Sequence, residues 1–170
     1  MEFYVYVKLK PYVRQWLMHK FGEGEWKVRF PTQSRENAFL RARLLVCPEG
    51  AIPQRREGDE VGILIPSSQA KPPERFNYIT QEDRRALSDM IENLFEQSFK
   101  SEVLDDIQMG VKQTTCIKAW IKRNCVHIEC MDTLQMKIDR MLMSYRKKGV
   151  ELNPAKKIFK KYEKKEDKRP

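Results

Sequence analysis

Apolar and polar positions alternate with a period that changes along the chain, and each change marks an element. Residues 3–9, Phe-Tyr-Val-Tyr-Val-Lys-Leu, are β-branched and aromatic and predict a strand. Pro11 suits a first helical position, Tyr12, Val13, Trp16 and Leu17 follow at helical spacing, and Gly22 is placed to end that helix. Trp26 to Phe30 alternates Trp-Lys-Val-Arg-Phe, the pattern of a half-buried strand. Ser34 is the expected cap of a second helix carrying Ala38, Leu40, Ala42, Leu44 and Leu45. Two prolines, two glycines and mixed charges make 47–60 an exposed loop. Val61-Gly62-Ile63-Leu64-Ile65 reads as a short buried strand stopped by Pro66, and a second polar loop runs from Ser67 to Asn77.

Thr80 is the expected cap of a long helix with Glu82 and Asp83 in its first turn and Leu87, Ile91, Leu94 and Phe95 on its apolar face. From Ser98 onward the pattern is helical throughout. Phe99, Val103, Leu104 and Ile107 mark a helix ended by Gly110. Ile117, Trp120 and Ile121 mark the next, with Asn124 expected as its left-handed terminator. Asp132, with Gln135 three residues on, has capping-box spacing for a third helix over 132–148, and Met131 and Met136 are placed as a hydrophobic staple. The expected fold class is α+β: a small α+β unit over 1–97, a three-helix, helix-turn-helix-like unit over 98–150, and a basic helix or tail over 151–170. No internal repeat is visible.

Charge sharpens this picture. The chain has 170 residues and a net charge of +9. Residues 111–170 hold 17 Lys and Arg against 7 Asp and Glu, so the whole excess sits in that last part. A local positive field concentrates polyanions, of which phosphate backbones are the commonest. The expected last helix of the bundle places Leu134, Ile138, Met141, Leu142 and Tyr145 on one face. Thr133, Lys137, Arg140, Ser144 and Lys147 fall on a solvent-facing stripe, and these residue types bond phosphates and base edges. In helix-turn-helix modules the last helix enters the major groove and the preceding one braces it. Lys118, Lys122 and Arg123 lie on that preceding helix and are expected to hold phosphates. Beyond Asn153-Pro154, Lys156, Lys157, Lys160 and Lys161 open a series of lysine pairs suited to lie along a backbone. The connection from Asn124 to Met131 is about eight residues, longer than the usual turn of such modules.

The remaining chemistry-bearing residues point elsewhere less well. Cys125, His127 and Cys130, with Cys116 nearby, lack the paired spacing of a zinc site, so no metal is expected. His19 stands alone on its helix without a nucleophile. Glu102, Asp105 and Asp106 have no glycine-rich phosphate loop beside them, so no catalytic site is expected. Trp16, Trp26 and Trp120 read as core, and so does the aromatic strand from Phe3 to Val7, because no glycine–aromatic motif of a base-stacking sheet accompanies it. The four cysteines form no secretory framework, and the start, Met1-Glu2-Phe3-Tyr4-Val5, lacks the features of a leader. No apolar run spans a membrane, and a reducing, cytoplasmic setting is expected.

Met1 to Pro11, then Arg14-Gln15-Trp16-Leu17, Val28-Arg29-Phe30-Pro31 and Glu36-Asn37-Ala38, resemble small proteins encoded by Bacteroidetes mobile elements and prophages over most of the chain. That resemblance implies a genetic context, not a mechanism. Asp132, Met141 and Tyr145-Arg146-Lys147-Lys148 are similar to helix-turn-helix proteins in general pattern only. The expectation is a non-enzymatic, cofactor-free DNA-binding accessory or regulatory protein acting on double-stranded DNA, its N-terminal unit serving self-association or partner binding. The alternatives are an adaptor that docks an acidic protein, and an RNA binder.

Overall fold

A computed structural model of the chain describes residues 2–52 and 54–148. The architecture is α+β, in the order β1 (Tyr4–Val7), α1 (Pro11–Phe21), β2 (Lys27–Val28), α2 (Arg35–Arg43), β3 (Val61–Leu64), α3 (Gln81–Gln108), α4 (Gln113–Arg123), a 3-10 turn (Ile128–Cys130) and α5 (Met131–Lys147). The chain divides into two compact units, Met1–Phe95 and Glu96–Pro170. Among the described residues no helix is long and apolar enough to cross a membrane.

In the first unit β3 is the central strand, antiparallel to β1 and parallel to β2. Val5 pairs with Ile63 and Val7 with Val61, and all four are fully buried. Trp16 and Leu17 of α1, Leu40 of α2, and Leu87, Ile91 and Phe95 of α3 complete this core. Phe95 meets Trp16 edge-on at a centroid distance of 5.6 Å. The caps form as their residues dictate. Ser34 Oγ accepts from the Asn37 N–H at 3.1 Å, and Thr80 Oγ1 accepts from the Asp83 N–H at 3.0 Å.

The structure departs from the sequence pattern at several points. β2 has only two residues, because only Lys27 and Val28 reach β3 in register. α2 stops at Arg43, and Leu45 leaves it to form an isolated bridge with Tyr78. The helices expected on either side of Ser98 are one unbroken helix, α3, since nothing between 95 and 99 interrupts its apolar row. Gly110, at φ +91°, provides the stop after it. Trp26 and the tyrosines of the aromatic strand are not core, although its valines are. β1 alternates, so Val5 and Val7 are buried while Tyr4 and Tyr6 project from the opposite face and stay half-buried, as does Trp26.

One lysine in the second loop has an internal task. Lys71 Nζ donates to the carbonyls of Arg41 and Leu44 at 2.9 Å each, at the open C-terminal end of α2. Hydrogen bonds to charged donors contribute about 1.5–3 kcal/mol. Lys71→Met keeps the stem and removes the donor, so urea denaturation should show a loss of about 1–3 kcal/mol. An unchanged midpoint would deny the lysine this capping role.

Candidate nucleic-acid interface

The second unit is built around α5. Leu134, Ile138 and Leu142 recur every fourth residue and are buried, with Met141 and Tyr145 half-buried beside them. They pack in the same unit as Phe99, Val103, Ile117 and Trp120, and Phe99 meets Trp120 at a centroid distance of 4.7 Å and an interplanar angle of 70°. Burial of this face fixes which side chains of α5 turn outward.

The start of α5 differs from the capping box that Asp132 and Gln135 suggest. The chain is already wound by the 3-10 turn, so Cys130 is the cap residue, in a helical conformation and without a side-chain cap bond. Asp132 sits inside the first turn, where its charge suits the helix dipole, and Gln135 donates to Asp139 instead. Met136 is 54% exposed and forms no staple. At the end of α4 the left-handed residue is Cys125, at φ +51°, not Asn124. Asn124 acts through its side chain, whose Nδ2 donates to the Trp120 carbonyl at 3.0 Å.

Three members of the expected stripe, Lys137, Arg140 and Ser144, come together at a cleft of about 750 Å³ between the second half of α3 and α5. Glu96, Gln97, Lys100, Ser101 and Leu104 line it from α3, and Met141, Tyr145 and Lys148 complete the α5 side. Four cations, Lys100, Lys137, Arg140 and Lys148, thus surround one carboxylate among the lining residues. Lys137 is not the free outward cation that its position on the stripe implies. It donates to Glu96, its side chain is only 20% exposed, and Lys100 donates to the same carboxylate at 2.7 Å. Partial burial pushes the Glu96 carboxyl up, but the bonds from Lys100 and Lys137 outweigh it and hold the group below the ordinary carboxylate range. Thr133 and Lys147 are exposed on α5 outside the cleft lining.

The α4 cations are not among the residues lining this cleft. Lys118 and Lys122 are exposed, whereas Arg123 reaches Glu102 at 3.8 Å and Asp106 at 3.7 Å on α3. Glu102 lies about a third of a turn around α3 from Glu96. Arg123 and Lys137 are therefore drawn to different sides of that helix. Arg123 is thus paired with acids on α3 while its side chain stays half exposed. Lys156, Lys157, Lys160 and Lys161 lie outside the described residues. Lys100 and Lys148 were missed from sequence. Lys100 is marked only by its i, i+4 spacing from Glu96, and Lys148 by its place one turn beyond Ser144.

Two of the four cysteines, Cys116 and Cys130, are at least half-buried, and Cys47 and Cys125 are exposed. Cys116 is buried, its Sγ 3.6 Å from the Val111 carbonyl, and burial pushes its thiol up; burial does the same for Cys130. Among the described residues no three His, Cys, Asp or Glu side chains gather as metal ligands. No protein-family model, curated protein or solved structure matches the chain.

The Glu96 triad makes stability depend on pH. A carboxyl held low in the folded state stabilises fully above the ordinary carboxylate range, and the contribution is lost as pH falls through that range and below it. Glu96→Gln should therefore be less stable than the parent protein near neutrality. The difference between the two should shrink on acidification, as followed by thermal melts across pH. A difference that stays constant would mean that the carboxylate charge does not carry the effect.

Proposed function

We propose that the protein binds double-stranded DNA as a non-enzymatic accessory or regulatory factor, in keeping with the mobile-element or prophage context implied by the resemblance over most of the chain. The supporting observation is the exposed side of α5, where Thr133, Arg140, Ser144, Lys147 and Lys148 present three cations and two hydroxyls, beside a cleft with a net positive lining. Such side chains grip phosphates and sugars and fix register on a duplex. The segment 124–130 between α4 and α5 is longer than a helix-turn-helix turn, and Lys137 is held by Glu96. Backbone tracking by α5 is therefore favoured over base reading by an inserted helix. Lys118 and Lys122 supply further phosphate contacts from α4, and Lys156, Lys157, Lys160 and Lys161 add charge to the same end of the sequence.

The adaptor reading draws on a separate observation. Met136 and Met143, one heptad apart on α5, are 54% and 55% exposed, and such methionines suit a protein contact. Arg140→Glu combined with Lys147→Glu separates the two readings. Duplex affinity, measured by anisotropy at two salt concentrations, should fall about tenfold or more, and the salt slope should drop by about two. Duplex binding that is absent in the parent protein, or insensitive to salt, would overturn the DNA reading.

A further inference from the structure

The sheet of the first unit has one face in the core and one face that the core does not use. On that second face Trp26 lies directly against β3. A Cβ added at Gly62 would stand 2.6 Å from the Trp26 Cζ3 and 2.8 Å from its Cε3, so the missing side chain seats the indole on the strand backbone. Gly62 is also the residue that pairs with Tyr6 on one side and Lys27 on the other. The rings of Tyr4, Tyr6 and Trp26 are contiguous, at centroid distances of 5.1 Å for Tyr4–Trp26, 6.0 Å for Tyr6–Trp26 and 6.4 Å for Tyr4–Tyr6.

Cations flank this patch. Lys27 Nζ is 5.5 Å from the Tyr4 and Trp26 ring centroids, and the Arg56 guanidinium is 5.5 Å from that of Trp26. Arg56 donates to the Glu60 carbonyl at 3.0 Å and forms no ion pair with another described residue. Glu2 is the acid beside the rings. It accepts from Tyr4 and, at 3.5 Å, from Lys27, while Arg29 is held by Glu23 at 2.8 Å.

We propose that this face is a single-stranded nucleic-acid site, in which bases stack on Tyr6 and Trp26 and the phosphates between them meet Lys27 and Arg56. The occupant follows from the chemistry. Half-buried rings with cations seated over them fit a ligand that alternates flat rings with anionic links. A duplex hides its base faces, and a lipid surface offers anions without rings. The site uses no residue of the second unit, so it stands independently of the reading of α5.

The test titrates the full chain with an oligothymidylate of about 15 nucleotides and with an abasic strand of the same length and charge. Anisotropy and tryptophan emission are followed together. The base-bearing strand should bind about tenfold or more tightly than the abasic one, with quenched emission. Tyr6→Ala should weaken the base-bearing strand about fivefold or more and leave the abasic strand unchanged. Tyr6→Leu, which keeps an apolar side chain on the strand, gives the same readout if the alanine variant unfolds. Equal affinity for the two strands, or an unchanged affinity in a folded Tyr6 variant, would overturn the proposal. Duplex binding by the α5 charge variants, scored in parallel, reports on the other reading alone.

Discussion

One row of apolar side chains on α3 is the constraint from which both cores are built. Leu87, Ile91, Phe95, Phe99, Val103 and Ile107 recur every four residues, and each is buried. The first three belong to the core of the first unit, the last three to that of the second. Burying such side chains contributes about 1.5–3 kcal/mol each, far more than any surface ion pair. The polar chemistry is arranged around this apolar framework. Lys100 and Glu96 face the cleft because Phe99 and Val103 face the core.

Much of this was legible from residue patterns alone. The period-2 run at the start, the Pro11 entry to α1, the Ser34 and Thr80 caps and the Gly110 stop all act through neighbours within four residues, and local chemistry decides them. The stripe on α5 was legible for the same reason, because helical periodicity fixes which residues share a face.

What the pattern missed depends on distant partners. Lys137 loses its freedom to a carboxylate 41 residues away, and Arg123 to acids on α3. Alternation in β1 separates Tyr4 and Tyr6 from Val5 and Val7 but does not say which face the helices cover. The cap at Asp132 was misplaced because the chain enters α5 already coiled, a property of the 3-10 turn and not of any one residue type. The break expected near Ser98 came from reading the apolar positions on its two sides as separate helices, although the same four-residue spacing runs straight through it.

Gly62 also bears on how this sequence can drift. The ring of Trp26 occupies the volume where any other residue at 62 would put its first carbon. The dependence has a direction: a side chain arriving at 62 must evict the indole, and an indole at 26 requires the bare strand beneath it. In descendants of this chain a side chain at 62 should therefore appear only where the indole at 26 has gone, however far the surrounding loops diverge.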